Sequence, residues 1–112
     1  MIKKCDPQKA IDLNIPYVKE VSLFFTYNDT VYFSVSARGD TLEAHIAATK
    51  EGKKALRTAV NEFCEYMFKT YPRYKKISAN VKMKSVKNLC LKCGFELLTK
   101  IDDCEVFVKW AR

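Results

Sequence analysis

At 112 residues the chain has room for one domain, spanning residues 1–112, and none for a second. Apolar residues make up 48% and charged residues 29%, which excludes a disordered composition, and no apolar run reaches bilayer length. The net charge of +7, from 20 Lys and Arg against 13 Asp and Glu, favours a polyanionic partner: nucleic acid or a phosphorylated cofactor.

The opening Met1-Ile-Lys-Lys-Cys-Asp-Pro7 turns polar at once, with no signal-peptide core, so export is not expected. Through about Glu20 the periodicity is weak, and Asp6-Pro7 and Ile15-Pro16 act as breakers. This stretch reads as loop with one short helix around Gln8 to Leu13. Val21 to Tyr27 and Val31 to Ser36 are rich in β-branched and aromatic residues, and Asn28-Asp29 between them suits a tight hairpin turn. A second turn, Arg38-Gly39-Asp40, leads into Thr41 to Ala48. There Leu42, Ala44, Ile46 and Ala48 alternate with Glu43, His45 and Ala47, so Glu43 and His45 share one face. From Gly52 to about Thr70 the period changes: Leu56, Ala59, Val60, Phe63, Met67 and Tyr71 mark an amphipathic helix stopped by Pro72. Lys76 to Val81 alternates again as a strand. Ser85 suits a helix N-cap, and Val86, Leu89, Cys90 and Cys93 form a short apolar stripe ended by Gly94. Phe95 to Ile101 and Glu105 to Trp110 read as a closing hairpin around Asp102-Asp103.

The order is therefore β-β-β-α-β-α-β-β, an α/β (α+β) mixed sheet. The long helix is a crossover, so the third and fourth strands are expected to run parallel in an otherwise antiparallel sheet. A helix N-terminus then points out near the strand ends, where an anion is favoured. Thr49-Lys-Glu-Gly-Lys-Lys54 leads into that helix start. Its backbone N–H groups would face a pyrophosphate, Lys50, Lys53 and Lys54 would add charge, and Gly52 would let the backbone approach closely.

Cys5, Cys64, Cys90, Cys93 and Cys104 are an odd number, which argues for free thiols in a reducing compartment. Cys90-Leu-Lys-Cys93 is formally a C-x-x-C pair, but it precedes Gly94 at a helix end and the single histidine, His45, lies far upstream. Buried structural thiols, and no metal, are the expected reading. Tyr71, Arg73, Tyr74, Lys75 and Lys76 mix base and aromatic in a way that suits nucleic acid or a solvated loop. No RNA- or DNA-binding motif accompanies them, which argues against a nucleic-acid partner.

The element order, with Ala44 to Lys54 running into the long helix, resembles the core of the GNAT N-acetyltransferases. Ser85-Val-Lys-Asn-Leu-Cys-Leu-Lys-Cys-Gly-Phe95 is similar to that family's closing segment, N-x-x-[AS]-x-x-L-Y-x-K-x-G-F, with Leu89, Lys92, Gly94 and Phe95 in place. The small size and Leu13-Asn-Ile-Pro-Tyr-Val-Lys19 resemble compact phage-encoded members with a truncated N-terminal region. The family's asparagine falls at Met83 and its tyrosine at Cys90, and of its pyrophosphate-loop glycines Gly52 alone is kept.

The resemblance implies acetyl-coenzyme A as cofactor and transfer of its acetyl group to an amine of a protein or small molecule. Glu43 and His45 become candidates for the base, and Cys90 for the proton donor to the leaving thiolate. The backbone of Ile46, Ala47 and Ala48 would line the pantetheine arm, with Ser85 and Asn88 near the family's cofactor-contacting helix positions. A cytoplasmic location follows (host cytoplasm for a phage protein), with no membrane partner and with dimerisation as one way to stabilise so short a chain. The alternative is a degenerate GNAT-fold binding or virion-associated protein that kept the fold and lost turnover.

Overall fold

The computed structural model describes residues 1–111. Seven strands form one sheet in the order β1-β2-β3-β4-β5-β7-β6. The strands are β1 (Ile2–Lys4), β2 (Leu23–Tyr27), β3 (Val31–Arg38), β4 (Thr41–Ala48), β5 (Lys76–Val81), β6 (Glu96–Ile101) and β7 (Cys104–Trp110). Helices α1 (Pro7–Asp12), α2 (Leu56–Thr70) and α3 (Lys84–Lys92) complete it, with a 3-10 turn, Gly52–Ala55, leading into α2. β4 and β5 are parallel and every other pair is antiparallel. A mixed sheet with α2 as crossover is what the periodicities predict.

Turn chemistry sets the hairpins. Asn28 and Asp29 take φ of 51° and 56°, and Gly39 takes 61°, values that shape the two tight turns of the meander. At Gly94 φ is 84°, which ends α3 as glycine does at a helix C-terminus. One expectation fails: Met83, not Ser85, is the N-cap of α3, with no side-chain bond to the helix. Ser85 instead lies inside the first turn. The first stretch also holds a strand that the pattern did not suggest. β1 is three residues long with one inward apolar side chain, Ile2, too short for alternation to register.

Apolar side chains divide the sheet into two faces. Phe25, Phe33, Val35, Leu42 and Ile77 face α2 and α3, meeting Ala59, Val60, Phe63 and Met67. Phe33 and Phe63 stack with centroids 4.1 Å apart. On the other face a smaller cluster of Ala10, Ile15 and Tyr32 seats α1 and the chain after it over β2 and β3. No helix of the described residues is long and apolar enough to cross a membrane.

Candidate functional site

The β4–β5 ladder has three pairs, Thr41 with Lys76, Leu42 with Ile77 and Glu43 with Ser78, and then stops. Both strands continue: β4 stays paired with β3 as far as Ala48, and β5 with β7 as far as Val81. A wedge-shaped gap therefore opens inside a continuous sheet. The Thr49 N–H donates to Thr30 O at 2.9 Å, which sets the phase of the antiparallel β3–β4 bonds. By alternation Ala47 and His45 exchange bonds with β3, while Ile46 and Ala48 turn their N–H and C=O groups into the gap. Of the three residues expected along the pantetheine arm, Ile46 and Ala48 thus present backbone groups to the gap, whereas Ala47 does not. The Ala47 backbone is tied to Tyr32, and its side chain packs with the α1 cluster.

Below the gap, on the α2 and α3 face, lies an apolar cavity of about 50 Å³. Ala44 and Ile46 line it from β4, Ala79 from β5, and Val86, Leu89 and Cys90 from α3. Burial, and secondarily Cys93, pushes the Cys90 thiol up to about 11. Cys64 is raised to about 12, chiefly by burial. Both thiols are protonated near neutral pH. All five cysteines are free, and no cluster of three or more His, Cys, Asp or Glu among the described residues has metal-site geometry.

At the mouth, Gly52 has a steric reason to be glycine. A Cβ there would sit 2.1 Å from Thr30 O, so the bare backbone lets the turn pack on the β2–β3 hairpin. That is a packing requirement of the chain itself, distinct from the expected close approach to a phosphate. The Gly52 N–H donates to Thr49 Oγ1 (3.1 Å), Lys53 N–H to Thr49 O (3.2 Å) and Lys54 N–H to Glu51 O (3.3 Å). Three of the amides expected to face an anion are therefore committed to the turn. Among the described residues, the N–H groups of Lys50 and Glu51 have no acceptor in the chain. The exposed side chains of Lys50, Lys53 and Lys54 form no ion pair among the described residues; Lys82 and Lys84 follow the C-terminal end of β5, which runs parallel to β4, and Lys82 is paired with Asp103 at 3.9 Å. The basic and aromatic Tyr71 to Lys76 loop lies at the opposite end of β5, where Arg73 sits 5.5 Å above Tyr74.

His45 and Glu43 lie on the face away from α2 and α3, as the alternation requires. His45 is half-buried; that burial lowers its pKa, with Glu43 pulling the other way, so the imidazole is neutral near pH 7. Glu43 is held 3.4 Å from Arg38 Nε. Ser34, opposite His45 on β3, donates its hydroxyl to Pro16 O and ties the residue 13–22 loop over this face. Ser85 and Asn88 are exposed on α3 and do not line the cavity. Thr49 entered the sequence reading only as the first residue of this turn; that its hydroxyl accepts the Gly52 N–H was not foreseen.

No protein-family profile and no curated protein sequence matches the chain. Solved structures do. The dodecameric spermidine N-acetyltransferase of Vibrio cholerae superposes with a TM-score of 0.75 at 16% identity, over 98% of this chain and 92% of that one. The IAA acetyltransferase of Bacillus cereus gives 0.74 at 14% identity, over 99% of both chains. The chain has an acetyltransferase fold. The N-acetyltransferase PseH of Campylobacter jejuni, solved with acetyl coenzyme A, gives 0.70 at 12% identity, over 94% of this chain and 74% of that one. The resemblance drawn from the element order is met in architecture, at identities that carry the fold alone.

Proposed function

We propose that the protein is an acetyl-coenzyme A-dependent N-acetyltransferase acting on an amine of a protein or small molecule. The observation that carries this reading is the interrupted β4–β5 ladder: two parallel strands that part while each stays bonded on its other side. A pantetheine arm has amide groups of its own and can pair with the free N–H and C=O groups of Ile46 and Ala48. The phosphates would sit at the mouth, near Lys50, Lys53, Lys54, Lys82 and Lys84 and the two free amides. Ser85 and Asn88 would meet the cofactor only at its solvent-facing edge. Likeness of fold to acetyltransferases, one of them holding acetyl coenzyme A, supports the choice of donor.

In the reaction the amine nitrogen attacks the thioester carbon, so a C–N bond forms and the C–S bond breaks. His45, kept neutral by burial, takes the amine proton, with Glu43 beside it to steady the imidazolium. The protonated Cys90 thiol stands where the family's tyrosine falls and donates to the leaving thiolate, regaining its proton from water. The free thiols support a reducing, cytoplasmic setting.

Thermal shift with coenzyme A, followed by transfer of radiolabelled acetyl groups to candidate amines, tests the reading. Stabilisation with label transfer is expected. Stabilisation without transfer to any amine indicates a degenerate binding protein, and no stabilisation by millimolar coenzyme A removes cofactor binding altogether.

A further inference from the structure

β4 and β5 part without losing count. β4 keeps its register with β3 to Ala48, and β5 keeps its register with β7 to Val81, so neither strand bulges along the gap. The last ladder pair is Glu43 with Ser78. Two residues further on, His45 therefore stands opposite Asn80 across the opening. Side chains two apart on a strand share a face, so both project on the side of Glu43 and Ser78, away from α2 and α3. Asn80 is exposed, and its carboxamide has no hydrogen-bond partner among the described residues. Around His45 the other neighbours are accounted for. Ser34 gives its hydroxyl to Pro16 O, Glu43 is paired with Arg38, and the facing residues of β5, Ser78 and Asn80, carry no charge.

We propose that Asn80 is the second jaw of the acceptor site, binding the incoming amine across the gap from His45. This rests on the acyl-transfer reading above. A neutral amine must present its lone pair to the thioester carbon while its N–H groups find acceptors. The Asn80 carboxamide oxygen accepts one N–H and a ring nitrogen of His45 accepts another. The lone pair is thereby aimed into the gap, at a carbonyl lying between the strands. When the C–N bond forms and C–S breaks, the proton on the His45 side moves to the imidazole, and the electron pair leaves with the coenzyme sulfur. Asn80 transfers no proton; its contribution is orientation, the element of catalysis that a small misplacement destroys.

The chain has a single histidine, so one imidazole signal reports His45 without ambiguity. In an NMR titration without ligand, Asn80→Asp is expected to raise the His45 pKa by about half a unit, because a carboxylate facing the ring favours its charged form. A titration curve unmoved by that substitution overturns the juxtaposition. With hydroxylamine as a small neutral acceptor, Asn80→Ala is expected to lose about tenfold in kcat/KM. The Kd of acetyl-coenzyme A should stay within twofold and Asn80→Gln should recover part of the rate. Undiminished transfer by Asn80→Ala overturns the proposal. If wild-type protein fails to bind acetyl-coenzyme A, the acyl-transfer reading falls instead, and the ligand-free titration still decides whether the two side chains face each other.

Discussion

The two edges of β5 behave differently. Towards β7 it is paired along its whole length, six residues from Lys76 to Val81, whereas towards β4 the pairing stops after three. The same residues thus form a rigid wall on one side and a free rim on the other. An opening inside a sheet leaves backbone groups unmatched, and this one persists because each flanking strand is anchored by its outer neighbour and by the core beneath. Phe33, Ile77 and Phe63 are almost completely buried there. The unmatched groups of Ile46 and Ala48 are what distinguish the gap from a packing defect: they have the chemistry to pair with a ligand that has amides of its own.

The largest effect should come from the face above the gap. His45→Gln keeps size and polarity but cannot accept a proton near neutrality, so transfer is expected to fall by about 10²- to 10⁴-fold with the melting curve nearly unchanged. The wild-type pH profile sharpens the point. Burial holds the His45 pKa below its ordinary value of 6.5, so with His45 as the base, activity is expected to hold down to that pH and to decline only below it. The stability sign agrees. A group with a depressed folded-state pKa binds protons more readily when unfolded, so stability present above pH 6.5 is lost as pH falls through the window beneath. His45→Gln should flatten both dependences, and a profile still falling in that range would assign the base to another group.

How much of this was legible beforehand differs by element. The β4 boundaries, Thr41 and Ala48, and those of β5, Lys76 and Val81, follow from alternation and turn residues, which are local signals. The end of their shared ladder does not, because it depends on how two separately anchored strands diverge in space. The role proposed for Asn80 was invisible for the same reason: it comes from carrying the register of the last pair, Glu43 with Ser78, two residues across the gap. Cys90 was readable through the closing-segment pattern, but its raised pKa needs the burial that α3 packing provides. Gly52 drew notice for a phosphate role, whereas its neighbour is Thr30 O, a contact between residues too far apart in sequence to suspect.

Gly52 offers the second test, at the point where the free rim meets the closed β2–β3 hairpin. Gly52→Ala puts a methyl group against a backbone oxygen, and backbone yields less readily than a flexible side chain. A destabilisation of about 1–3 kcal/mol is expected. In a domain of this size that corresponds to a melting temperature lower by roughly 5–20 °C. A melting curve unchanged by the methyl group would mean that the turn is not seated on Thr30. Ligand-saturated activity should fall less than stability, since the amides left free at the mouth belong to Lys50 and Glu51.

The smallest effect concerns the charge at that mouth. Lys50, Lys53 and Lys54 are exposed and pair with no carboxylate among the described residues, so water and salt screen each of them. Replacing any one by alanine is expected to weaken coenzyme A binding about two- to fivefold, the scale of an exposed charge acting on a helix-terminal anion. The triple variant should lose more, and its deficit should shrink as salt rises from low to physiological concentration. Dephospho-coenzyme A adds discrimination, because it carries less negative charge on the same pantetheine arm. If the lysines hold phosphates, wild-type protein should prefer coenzyme A over the dephospho form and the triple variant should lose part of that preference. If affinity resides in the gap between β4 and β5 alone, both proteins should bind the two ligands alike, and the basic mouth would then be a solvated surface with no part in holding the donor.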